Sequence, residues 1–140
     1  MVRNGKSQIR RKARRALLQI LYEVDNSTHL LGDSIRWVLE EAGIDKNSED
    51  FITDIAYHVV DQHEKLDEHI EKYAPSWPVN QLAVVDRNIL RIAIFELQSD
   101  SGTPVKVVVN EAVELAKRFG SDNSHRFVNG VLGSMVSAPV

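Results

Sequence analysis

VVDRNILRIAIFEL, residues 84–97, decides the fold. Within it Val85, Ile89, Leu90, Ile92, Ala93, Ile94, Phe95 and Leu97 fall on nearly every side of a helix with 3.6 residues per turn. A helix without a wet face belongs in the middle of a fold, covered by other elements. The rest of the chain should therefore supply its cover.

Working outward, Ser99 to Thr103 reads as a loop. Pro104 suits a first helical turn and Gly120 a left-handed C-terminal position. Between them Val105, Val108, Val109, Ala112, Leu115, Ala116 and Phe119 follow helical spacing. The run Val107 to Val109 alone suggests a strand, but the longer period outweighs it. A last helix places Val128, Val131, Leu132 and Met135 on one stripe. On the other side of the central segment, Ser7 can cap a first helix carrying Ile9, Ala13, Ala16, Leu17, Ile20, Leu21 and Val24, ended by Asp25-Asn26-Ser27. A second helix runs from about Leu31 to Ala42 and stops at Gly43. Asn47 or Ser48 caps a third, with Phe51, Ile52, Ile55, Val59 and Val60 inward. A fourth holds Leu66, Ile70 and Tyr73 and is ended by Pro75 and Pro78. The expectation is an all-α, single-domain bundle of about seven helices over residues 1–140, with residues 1–7 a flexible basic arm.

Composition narrows the chemistry. With 43% apolar and 26% charged residues in 140, the chain has the balance of an ordinary globular protein. No run reaches the ~18 apolar residues of a membrane span, and the basic N-terminus lacks a signal peptide's apolar core. Cysteine is absent, which excludes disulfides, thiol nucleophiles and cysteine-ligated metals, and fits a cytoplasmic setting. The net charge of −3 is unevenly spread. Seven of the seventeen bases lie in the first fifteen residues, and no acid precedes Glu23; the remainder has ten bases against twenty acids. A polyanion is attracted to one end and repelled by most of the body.

Enzyme signals are weak. The seven glycines form no phosphate-binding loop. Ser124 and His125 are adjacent, so on a helix they point about 100° apart and cannot form a nucleophile–base pair. His58, His63 and His69 lie close in sequence, and His63 and Asp67 are one turn apart, but neither His-Glu-x-x-His nor paired Glu-x-x-His occurs. With Glu64, Glu68 and Glu71, Asp67 reads as a solvated face. No metal or cofactor is expected.

Binding signals are stronger. On the first helix the apolar stripe centres near Ala13 and Ile20, with Arg10 and Arg14 on its flank. Arg11, Arg15, Leu18 and Tyr22 fall opposite, as an outward strip suited to a binding surface. A second basic cluster comprises Lys117, Arg118 and Arg126, with Ser121, Asn123, Ser124 and His125 between. The start of the last helix can hold a phosphate on its backbone N–H groups. Phe127 lies at the edge of the apolar stripe, either as core or as an exposed ring on which an unpaired base stacks. Gly130, in mid-helix, hints at a close approach to the backbone.

Three segments carry a resemblance to a known family. VVDRNILRIAIFEL, PVKVVVNEAVELAKRFG (104–120) and SDNSHRFVNGVL (121–132) resemble the C-terminal stretch of the NusB family, and RRKARRALLQILYEVD (10–25) resembles its arginine-rich first helix. Such proteins are bacterial transcription antitermination factors. The resemblance implies an all-helical, non-enzymatic protein that pairs with NusE, a small-subunit ribosomal protein, and binds boxA, a single-stranded element of nascent RNA. With NusA, NusG and RNA polymerase, the pair promotes read-through, notably in ribosomal RNA operons. It further implies RNA contacts from Arg10, Arg11, Arg14 and Arg15 and from Lys117, Arg118, Ser124, His125, Arg126 and Phe127. The NusE-facing set it implies includes Tyr22 and Asp86, beside which Leu18 lies on the outward strip. Five positions depart from the family pattern: Leu82-Ala83-Val84 replaces a frequent Leu-Ser-Pro, Val105 a tyrosine, Asn123 an acid and Gly133 an aspartate. Two other readings compete. The same fold occurs in some ribosomal RNA cytosine methyltransferases, whose Gly-rich cofactor loop and cysteine are missing here. A helical adaptor that binds only protein would lack the steep salt dependence of phosphate contacts.

Overall fold

Seven α-helices and one 3₁₀ turn make up the computed structural model, which describes residues 5–74, 78–99 and 102–138. No strand occurs among the described residues, so the all-α expectation is met and the valine run at 107–109 is helical. None of these helices is long and apolar enough to cross a membrane. The chain forms two compact units, Met1–Asp61 and Gln62–Val140.

The first unit contains α1 (Gly5–Asn26), α2 (Leu31–Ala42) and α3 (Lys46–Asp61). Both α2 and α3 pack on α1. Ala13, Leu17, Ile20 and Leu21 of α1, Ile35 and Val38 of α2, and Ile52, Ile55, Ala56 and Val59 of α3 are buried. The second helix has the limits its sequence suggests. Gly43 adopts φ 61°, a left-handed conformation in which a Cβ is strained, and its N–H donates to the Leu39 carbonyl. Two other expected starts are wrong. The first helix begins at Gly5, so Ser7 lies inside it and Gly5 to Ser7 are helical; residues 1–4 of the expected arm lie outside the described residues. The third is capped by Asp45 rather than by Asn47 or Ser48. Its carboxylate is held below its ordinary pKa mainly by a hydrogen bond from the Ser48 side chain, helped by backbone N–H groups of the first turn. An aspartate there also favours the positive end of the helix dipole.

The second unit contains α4 (His63–Tyr73), the 3₁₀ turn Val79–Gln81, α5 (Val84–Gln98), α6 (Val105–Phe119) and α7 (Ser124–Ser137). Within it α5 packs against α4, α6 and α7, the central position its sequence implies. Ile89, Leu90, Ile92, Ala93 and Ile94 are buried, as are Val108, Ala112, Leu115 and Ala116 of α6 and Val128, Val131 and Leu132 of α7. Its interior is not wholly apolar, because Asn88, Arg91 and Glu96 are buried too. The Arg91 guanidinium grips Asp67 of α4 with both arms, Nε to Oδ1 and Nη2 to Oδ2, each at 2.8 Å. Asn88 supports the pair: its Oδ1 accepts from Arg91 Nη1 at 3.3 Å while its Nδ2 donates to the Val84 carbonyl at 3.0 Å. The expected solvated role of Asp67 is therefore corrected. It pins α4 to α5 through a bidentate, charge-assisted pair.

In the second unit His69 Nε2 lies 2.8 Å from the Gln98 amide nitrogen; in the first, His58 donates to the Asp54 carbonyl at 2.7 Å. Each of these two histidines makes a local hydrogen bond.

The α6–α7 corner departs from expectation at Gly120. The residue is extended, φ −91° and ψ −171°, rather than left-handed. Space requires glycine here: a Cβ would overlap Ser124 Cβ and Oγ and lie 2.8 Å from the Ala116 carbonyl oxygen. Pro104 sits just before α6 rather than within its first turn. No described neighbour approaches Gly130 within 4 Å of where a Cβ would lie.

Candidate nucleic-acid interface

Two basic surfaces, one in each unit, contain the residues singled out from sequence. On α1 the buried arc runs from Ala16 through Ala13 and Leu17 to Leu18, about 200° of the helix circumference. That is wider than a single stripe, because two helices rather than one pack against α1. The widening changes two assignments. Leu18, expected outward beside Tyr22, is only 4% exposed, and Arg14, expected on the flank, is also 4% exposed. Arg11 remains exposed and Arg15 half-buried, while Tyr22 is 46% exposed. By helical geometry these three side chains leave α1 within about 40° of one another. The outward strip is thus Arg11, Arg15 and Tyr22, without the leucine.

Arg10 is exposed as well, but not simply solvated. Its guanidinium carbon lies 3.8 Å from the centroid of the half-buried Phe51 ring on α3. Sequence reading placed Phe51 in the core and gave no hint of the pairing, since forty-one positions separate the two residues.

The second surface is the α6–α7 corner. Lys117 and Arg118 are exposed on the last turn of α6, and Arg126 is exposed on the first turn of α7. Lys117 Nζ lies 3.5 Å from Glu114 Oε1, an exposed pair worth little in stability. His125 and Phe127 are half-buried, so Phe127 is neither sealed in the core nor free. Ser124 differs from its neighbours: it is 2% exposed, and its Oγ accepts from Ser121 N–H at 2.8 Å and lies 3.1 Å from Ser121 Oγ. Its hydroxyl shapes the corner rather than facing a ligand. Phe119, assigned to the core by spacing, is 44% exposed, with Arg118 beside its ring at 5.4 Å. Its helical angle is that of the core stripe, but it stands on the final turn. Angle alone cannot report that.

Asp86, in the first turn of α5, is half-buried, and its Oδ1 is buried without a hydrogen-bond partner among the described residues. The preceding Ala83 supplies no side-chain cap. A buried acceptor left unsatisfied is costly, and such groups call for an explanation.

The sequence model of the NusB family matches residues 11–137. The chain belongs to the NusB family. A NusB-family relative, transcription antitermination protein NusB of Chloroflexus aggregans, is 48% identical over 130 residues, covering 91% of this chain and 87% of the relative. The Bacillus subtilis protein of the same name is 39% identical over 128 residues, covering 91% and 95%. Among solved structures, a crystal structure of antitermination factors NusB and NusE in complex with dsRNA matches with a TM-score of 0.84. Identity there is 28%, over 94% of this chain and 98% of the other. Thermotoga maritima NusB matches with a TM-score of 0.78 and 31% identity, covering 96% and 92%. The NusB-family match therefore spans residues of both units.

Proposed function

We propose that the chain is a non-enzymatic antitermination factor that pairs with NusE and binds the boxA element of nascent RNA. In this reading the pair acts with NusA, NusG and RNA polymerase to carry transcription past terminators, notably in ribosomal RNA operons. The observation that carries the proposal is the exposed strip of α1. It bears guanidinium groups in its N-terminal half and an outward tyrosine about two turns further on. Arginine forks suit phosphate, and an exposed tyrosine suits a protein interface. Lys117, Arg118, His125, Arg126 and Phe127 supply the second RNA surface, held in shape by Ser124. Asp86, half-buried in the first turn of α5, is assigned to the NusE-facing set through the part of its side chain that reaches solvent. That a related NusB has been solved with NusE and dsRNA supports both assignments.

Titration of a boxA-like RNA with and without NusE tests the reading. Replacing Arg10, Arg11 and Arg15 together by alanine is expected to weaken RNA binding roughly tenfold or more at low salt. The slope of log affinity against log salt should flatten by up to about 0.7 for each phosphate no longer neutralised. Arg14 is left in place, because removing a buried guanidinium tests folding instead. Unchanged affinity and slope would favour the protein-only adaptor.

The partner surface has its own test. Tyr22→Ala or Asp86→Lys is expected to weaken the NusE complex by roughly 10- to 30-fold in calorimetric titration, the range of an interface anchor. Far-ultraviolet circular dichroism should stay helical in both variants.

A further inference from the structure

The Arg10–Phe51 stack on α1 and α3 has a use beyond pinning two helices. A guanidinium is planar, delocalised and weakly hydrated, so it has two faces that stack and a rim of N–H donors. Here one side of Arg10 lies over the Phe51 ring, 3.8 Å from its centroid, while the residue as a whole stays exposed. A free arginine must order a long, flexible side chain when it binds, and that ordering opposes binding. An arginine already held on a ring does not.

We propose that Phe51 is a positioning residue for RNA, a platform that holds Arg10 so that its outer face stacks on an unpaired base of single-stranded RNA. The inference rests on the RNA-binding reading above and deepens it by giving Arg10 a base rather than only a phosphate. The base lies on the guanidinium, the guanidinium on the ring, and the rim N–H groups remain available to the adjoining phosphate. Cation–π attraction from Phe51 and stacking on the base act on opposite faces, so neither displaces the other. Any base has a π face, so this contact adds affinity without selecting one base over another.

The experiment measures affinity and salt slope for a boxA-like single-stranded RNA, with chemical denaturation in parallel. Phe51→Leu keeps an apolar side chain against α1 but removes the ring. It is expected to lower affinity about three- to tenfold with the salt slope unchanged, because the charge on Arg10 remains. Phe51→Tyr should restore affinity. Arg10→Lys should likewise lose affinity while keeping the slope, since an ammonium carries the charge but has no face. In an Arg10→Ala background Phe51→Leu should have no further effect on binding. Wild-type affinity in Phe51→Leu, or an equal loss in the presence and absence of Arg10, overturns the platform while leaving RNA binding intact. Failure of the unaltered protein to bind RNA overturns the parent reading as well, so the two failures are distinct.

Discussion

Asp67→Ala is expected to lower folding stability by about 3–5 kcal/mol, read as a fall in the chemical-denaturation midpoint. The loss is large because the change removes the acceptor for two charge-assisted hydrogen bonds of a guanidinium that has little access to water, with side-chain exposures of only 10% for Arg91 and 21% for Asp67. The residual exposure of the aspartate favours the lower end of the range. Arg91→Met added to Asp67→Ala removes the remaining buried charge and should recover part of the lost stability, since an apolar replacement of a buried pair is often close to neutral. The pair thus joins α4 to α5 and fixes their register more than it adds net stability. For a domain whose total stability is typically about 5–15 kcal/mol, losing one partner is a major change.

Phe127→Ala is expected to weaken boxA binding by roughly 5- to 150-fold, the span of ~1–3 kcal/mol for one aromatic–base stack. Half-burial of the ring adds a second expectation. The folding cost should fall below the ~3–5 kcal/mol of a fully buried phenylalanine, because part of the ring is already in water. RNA affinity by fluorescence anisotropy and the denaturation midpoint, measured on one preparation, separate the two effects. A large loss of stability with normal affinity in the folded fraction would return Phe127 to the core.

Features encoded locally are legible in the sequence, and those that depend on distant neighbours are not. Both ends of α2 follow from its apolar period and from Gly43, whose left-handed backbone is a property of one residue. The central place of α5 follows from the lack of a wet face in 84–97. Exposure of Arg11 and Tyr22 follows from angle alone. Leu18 and Arg14 are misplaced by the same reasoning, because helical period gives the direction of a side chain and not the number of helices packed around it. The Asp67–Arg91 pair spans 24 positions, and an arginine in an apolar helix gives no sign of its partner. The family resemblance implies a ligand contact from Ser124, whereas in the fold its hydroxyl is engaged by Ser121. Gly120 is an obligatory glycine as expected, but crowding rather than backbone conformation imposes it.

That crowding bears on how the second basic surface meets a ligand. Gly120 allows α6 and α7 to close around Ser124, whose hydroxyl ties back to Ser121. The short turn between the helices is thereby held by hydrogen bonds of its own, before any ligand arrives. Lys117, Arg118, Arg126 and Phe127 project from a backbone with little conformational freedom left to lose. An incoming strand has to surrender its own disorder and that of a few side-chain tips, but not that of the turn. Binding at this corner should accordingly leave the amide hydrogen exchange of residues 119–124 nearly unchanged, a rigid socket rather than one moulded by its guest.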